Sequence, residues 1–212
     1  MTAREQILAR IEKALQKPTD NPVMKPDFKK PVFKQKDETF LDVLFAENFT
    51  KATTTFIYCE NLEDFLGKMK LVLEEKSTLN FYVWETYLQQ LLSVLPINFI
   101  DNDKLFTEQA DVGITLCEAL VARTGSILVS SSQLAGRRLT VFPHAHIVVA
   151  FTKQLVYDIE DGLTYVQQKY KHQFPSMLSL ITGPSQTADI EKTLVLGAHG
   201  PKELMLFLID EE

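Results

Sequence analysis

The stretch HIVVAFTKQLVYDIEDGLTYVQQKYK, residues 146–171, decides the fold class. Its first six residues form an apolar, β-rich run, and DIEDGLTYVQQKYK, residues 158–171, reads as a helix. A strand with no polar alternation is one buried on both faces, and a strand followed by a helix is half of a βαβ unit. The same alternation extends upstream. TTTFIYC (53–59) is a strand, and Asn61 caps a helix carrying Leu62, Phe65, Leu66, Met69, Val72 and Leu73 on one face. NFYVW (80–84) is a strand, ETYLQQLLSVL a helix stopped by Pro96, and INFI a strand. DVGIT (111–115), SILVS (126–130), LSLIT (178–182) and LMLFLI (204–209) are further strands. Phe40, Leu41, Leu44 and Phe45 suit a helix ahead of them all. The order predicts an α/β fold with a mainly parallel sheet covered on both faces. Ligand crevices in such sheets lie at the carboxyl ends of the strands, so the loops after Thr115, Ser130 and Thr182 are the places to search.

The ends of the chain have a different character. Residues 1–16 read as one helix, with Ile7, Leu8, Ile11 and Leu15 in a stripe and Thr2 and Glu5 at capping-box spacing. Residues 17–38 form an extended, proline- and lysine-rich linker. Over 17–36 it holds four prolines, and six lysines against two aspartates make it +4. A basic docking arm for an acidic partner is the alternative reading. The α/β domain then runs over 39–212.

The chain has 212 residues and a formal charge of −6, with 45% hydrophobic and 24% charged residues. These values exclude a disordered chain and argue against a nucleic-acid binder, whose phosphate contacts need a basic surface. The N-terminus lacks the apolar core of a signal peptide, and no apolar stretch reaches the length of a membrane span. The expectation is a cytoplasmic protein with reduced thiols. Two cysteines, Cys59 and Cys117, are too few for a four-cysteine zinc or iron–sulfur site.

Several segments offer chemistry. In TGPSQTADIE (182–191), Gly183 and Pro184 make a turn, and Ser185 and Thr187 precede a short helical pattern. Hydroxyls and backbone N–H groups there suit a carboxylate or phosphate, while simple capping is the plain alternative. GAHGP (197–201) sets His199 beside Gly200, where an exposed ring can act as acid, base or metal ligand. With Asp189 and Glu191, His199 completes the catalytic candidates. His144 and His146, two apart, would put both rings on one face of a strand and could hold a metal with His199 or Asp189. No HExxH or paired-cysteine pattern supports that. Thr124 and Gly125 form a turn whose N–H groups could meet a ligand. Arg137 or Arg138 could fork onto an anion, or be solvated. A Ser185–His199–Asp189 triad lacks the GxSxG elbow, and neither GxGxxG nor a P-loop is present.

Four blocks carry a family resemblance: REQILARIEKAL (4–15), GITLCEALVARTGSILV (113–129), RRLTVFPHAHIVVA (137–150) and TGPSQTADIEKTLVLGAHGPKELMLFLID (182–210). The last is the most specific, with GPS, TADIE and GxHGP in order. Together they resemble the LUD-domain family, and within it the stand-alone lactate utilisation protein C group. Related sequences usually have a glutamate where this chain has Arg123. The resemblance implies the α/β fold of ribose-5-phosphate isomerases, glucosamine-6-phosphate deaminases, coenzyme A transferases and formyltetrahydrofolate cyclo-ligases. It also implies a role in oxidising L-lactate to pyruvate beside iron–sulfur partner proteins, with no cluster in this chain. The alternative is a small-molecule enzyme of that fold group, binding an anionic ligand at the crevice through Thr124, Gly125, Arg137, Arg138, His146, Gly183, Ser185, Thr187 and Gly200. The tethered helix would dock a partner or a second copy in a homodimer.

Overall fold

The computed structural model describes residues 2–16, 40–101, 106, 110–187, 195–197 and 199–210. The chain divides into two units, residues 1–36 and 37–212. The first holds α1 (Ala3–Leu15), and the segment read as a linker lies outside the described residues. The capping box is formed: the Glu5 carboxylate accepts the Thr2 N–H at 2.7 Å, and the Thr2 hydroxyl accepts the Glu5 N–H at 3.4 Å. None of the α1 side chains is buried.

The second unit is built from α2 (Leu41–Thr50), β1 (Thr55–Cys59), α3 (Leu62–Glu75), β2 (Phe81–Tyr82), α4 (Thr86–Leu92) and β3 (Phe99–Ile100). There follow β4 (Val112–Thr115), β5 (Ala119–Val121), β6 (Ser126–Ser130), β7 (Ala145–Phe151), β8 (Leu155–Val156) and α5 (Ile159–Lys169). β9 (Leu178–Ile181), β10 (Gln186–Thr187), β11 (Val195–Leu196) and β12 (Glu203–Ile209) complete it. Six strands form one sheet in the order β1-β12-β7-β4-β2-β3, every neighbouring pair parallel. This is the expected α/β architecture with a mainly parallel sheet. SILVS belongs elsewhere: as β6 it runs antiparallel to β5 and β9 in a second sheet, β8-β5-β6-β9.

Alternation along the central strands explains the layers. Ile147, Val149 and Phe151 of β7, with Phe207 and Ile209 of β12, meet Phe65, Met69 and Leu73 of α3 and Leu88 and Leu92 of α4. The intervening Val148, Ala150, Leu204, Leu206 and Leu208 meet Phe45 and Phe49 of α2 and Leu120, Ile127 and Val129 of the second sheet. Helix α5 lies on the far side of that second sheet, burying Val166 against Ala119 and Leu128. Asp158 and Asp161 cap its start reciprocally. Arg123 donates to the same Asp158 at 2.6 Å, so it anchors this helix start. Among the described residues, no helix is long and apolar enough to cross a membrane.

Strand order fixes where a crevice opens. The chain leaves β2 through α4 toward β3 on one side, and leaves β4 toward β7 on the other. The connections diverge between β2 and β4, and the gap at their carboxyl ends is the topological switch point.

The Thr124–Gly125 turn is occupied by the protein itself. Asn48 of α2 donates to the carbonyls of Ala122 and Arg123 at 2.9 and 3.2 Å. Gly125 has φ +60°, and its N–H is spent on the Ala122 carbonyl at 3.3 Å. A Cβ there would lie against the Phe49 amide nitrogen and 2.5 Å from the Asn48 carbonyl carbon. Gly125→Ala is therefore expected to cost on the order of 3 kcal/mol, read by urea denaturation. A loss below the usual surface-substitution scatter would contradict the packing described.

Candidate functional site

Two acidic residues stand at the switch point. Glu85 follows β2 and occupies the N-cap position of α4, yet makes no side-chain cap. Its Oε2 instead reaches across to β4 and accepts the Leu116 N–H at 2.8 Å. Glu118 leads into β5 and is fully buried. Its Oε1 accepts from Ser130 Oγ at 2.6 Å and Tyr170 Oη at 2.8 Å, and its Oε2 from Lys169 Nζ at 2.7 Å. Three donors from β6 and the end of α5 thus compensate its charge, as a buried carboxylate requires.

A cavity of about 650 Å³ opens beside these groups, lined among others by Glu85, Leu116, Cys117, Gln133, Gln154 and Lys169. Gln154 bridges its wall, donating to the Cys117 carbonyl at 2.7 Å and accepting the Phe151 N–H at 2.8 Å. Burial pushes the Glu85 carboxyl up to about 7; the charge of Glu118 adds to the rise, while the Leu116 N–H and Lys169 oppose it. Burial would lower the Lys169 amine, but its hydrogen bond to Glu118 and that carboxylate's charge raise it. Burial holds the Cys117 thiol far above its ordinary range, so it is no ready nucleophile. A carboxyl that exchanges its proton near neutrality, in a cleft beside a lysine, can bind anions when protonated and act as acid or base.

Neither acid was among the residues singled out from sequence. Both stand just past an apolar strand, Glu118 in the loop after Thr115 that the sequence indicates and Glu85 after a strand whose loop it does not, and each reads as an ordinary cap or surface acid until the strand order is known.

The sequence candidates fall in several places. Arg137 and Arg138 line a separate hollow of about 530 Å³ with Trp84 and Asp101. The Arg138 guanidinium lies 4.6 Å from the Phe106 ring centre, and Arg137 donates to Ser176 Oγ at 2.7 Å. Ser185, His199 and Gly200 do come together: Ser185 Oγ accepts the His199 N–H at 3.4 Å, and a Cβ on Gly200 would lie 3.1 Å from Ser185 Cβ. The Pro201 carbonyl accepts the Ser185 N–H, and the His144 carbonyl accepts the Lys202 N–H, both at 2.8 Å. This cluster adjoins the amino ends of β7 and β12, opposite the crevice. Gly183, with φ +127°, packs against Ala52. Gln186 and Thr187 pair antiparallel with Leu196 and Val195, and the helical pattern read after them lies outside the described residues. Asp189 and Glu191 lie outside the described residues. His144 precedes β7 and is exposed, while His146 is fully buried with Nε2 2.8 Å from Thr115 Oγ1, so one ring stands in solvent and the other in the core. Burial pushes His146 down to about 4. Among the described residues, no three His, Cys, Asp or Glu side chains cluster to hold a metal ion.

The family profile of the LUD domain matches residues 43–209. The chain belongs to the LUD domain family. It is similar to lactate utilization protein C from Geobacillus sp. (strain WCH70), 32% identical over 108 residues, or 50% of this chain and 45% of that protein. Lactate utilization protein C from Bacillus subtilis (strain 168) is 34% identical over 106 residues, 49% of this chain and 44% of that protein. The chain thus spans about half the length of the curated relatives it matches. A crystal structure of a DUF162 family protein from Deinococcus radiodurans shares the fold, with TM-score 0.63, 17% identity, and coverage of 82% of this chain and 99% of that one. The crevice described here therefore lies within the LUD domain itself.

The Glu85 proton makes stability depend on pH. Its folded value of about 7 stands above its ordinary 4.5, so its contribution is complete below about 4.5 and is lost as pH rises through about 7. Glu85→Gln removes that loss. The variant should gain on wild type by on the order of 2–3 kcal/mol between pH 5 and pH 8.5, measured by urea denaturation. An unchanging difference across that range would contradict the buried, protonated carboxyl.

Proposed function

We propose that this LUD-domain chain serves in L-lactate utilisation as a subunit without a cluster of its own, acting beside iron–sulfur proteins, and that its crevice holds a small organic anion. The observation that carries the first part is the similarity to lactate utilization protein C in several bacteria, at 28–34% identity. Two cysteines, both buried, support a subunit that relies on partners for electron transfer. Lys153 and Lys169 on the crevice wall, with a carboxyl that is half protonated near neutrality, support the second part. On this reading α1, with its exposed apolar stripe, is the element that docks a partner.

The position of Glu85 favours one second reading, an acid–base enzyme of the isomerase, coenzyme A transferase or cyclo-ligase kind. Fold alone does not choose between them.

A tagged chain expressed from its own locus should co-purify proteins carrying iron and sulfide from lactate-grown cells, and its deletion should abolish growth on L-lactate. A chain that runs alone, with lactate growth intact after deletion, would contradict the proposal. A large thermal shift with a sugar phosphate or coenzyme A thioester would then favour the second reading.

A further inference from the structure

The hydrogen-bonding capacity left unspent in the crevice is mostly donor. Glu118 has both oxygens engaged by Ser130, Tyr170 and Lys169. Gln154 has both ends of its amide engaged. The Gln133 carbonyl oxygen accepts the Ser130 N–H at 3.0 Å, which leaves its NH₂ group without a partner among the described residues. Lys169 gives one of its three N–H bonds to Glu118 at 2.7 Å. Glu85 gives Oε2 to the Leu116 N–H, and its Oε1 has no partner among the described residues. A guest that satisfies this set must bring acceptors, and a carboxylate brings two strong ones.

Glu85 sets the condition for entry. It is 6% exposed, and its only hydrogen bond among the described residues comes from a neutral amide. Ionised, it would face an incoming anion as a like charge in a poorly solvated space. Protonated, it turns from repulsion to donor. Because Oε2 already accepts, the proton belongs on Oε1 of this cavity-lining side chain. We propose that the crevice takes up a small carboxylate anion together with one proton, carried on Glu85 Oε1. Gln133 and Lys169 complete the donor set. The proposal rests on the reading of the crevice as an anion site.

The charged and titratable groups around Glu85 are Glu118 and Cys117 after β4, Lys153 after β7, Tyr165, Lys169 and Tyr170 at α5, and Tyr87 of α4. Lys169, Tyr170 and Cys117 are displaced upward, away from neutrality. Glu85→Gln keeps a donor and an acceptor while removing the proton equilibrium, which isolates the group in question.

The test is isothermal titration of the full chain with pyruvate and with L-lactate at pH 6 and pH 8, at constant ionic strength. With the carboxyl at about 7, wild type should bind about tenfold more tightly at pH 6, because apparent affinity scales with the competent fraction. Glu85→Gln should bind equally at both pH values. Gln133→Leu should weaken binding at both while keeping the tenfold ratio. A wild-type affinity that ignores pH, or a tenfold ratio that survives in Glu85→Gln, would overturn the proton-coupled site. Unaltered binding in Gln133→Leu would place the anion elsewhere and overturn it too. No binding of either anion at pH 6 would instead overturn the anion reading on which the proposal rests.

Discussion

Burial of β7 and β12 on both faces is the constraint from which the rest follows. Each strand feeds alternate side chains into two separate cores, so nearly every position must be apolar. The exposed Glu203 opens β12, and His146 is the buried exception, held uncharged with its ring nitrogen 2.8 Å from the Thr115 hydroxyl. A charge in that row would have no water and no counter-ion. Polar chemistry is therefore driven to the ends of the sheet.

The two ends are put to different use. At the amino ends, the segments around Ser185 and His199 hydrogen-bond to each other and back to the strands. Those bonds consume much of the backbone capacity that the glycine-rich motifs would otherwise offer a ligand. At the carboxyl ends, divergence of the chain between β2 and β4 leaves a gap that Glu85 spans through the Leu116 N–H. Glu118, with its three donors, ties the β4–β5 segment to α5 and brings Lys169 to the same opening. One acid is fully compensated and the other is not, and this asymmetry makes Glu85 the group that responds to pH or to a guest.

Much of the fold was legible in the sequence because it is written in long patterns. The apolar run of β7, the Asn61 cap of α3 and the Thr2–Glu5 box of α1 all stand where periodicity puts them. The strands that escaped, β5, β8, β10 and β11, are two or three residues long and too short to show a period. The site was less legible. Gly125 has the same need for positive φ whether a ligand or the end of α2 faces it, so the motif alone could not say that Asn48 and Phe49 fill the space. Glu85 and Glu118 lie far apart in sequence, and only the strand order brings them to one opening. Arg123 reads from sequence only as a departure from related chains, and the fold supplies its partner, Asp158 at 2.6 Å.

The central claim is that Glu85 holds a proton near neutrality in an otherwise compensated crevice. Carbon-13 NMR of the full chain, with glutamate side-chain carboxyls labelled and Glu85→Gln used for assignment, measures this directly. The Glu85 resonance should titrate at about 7. A midpoint at the ordinary 4.5 would contradict the account.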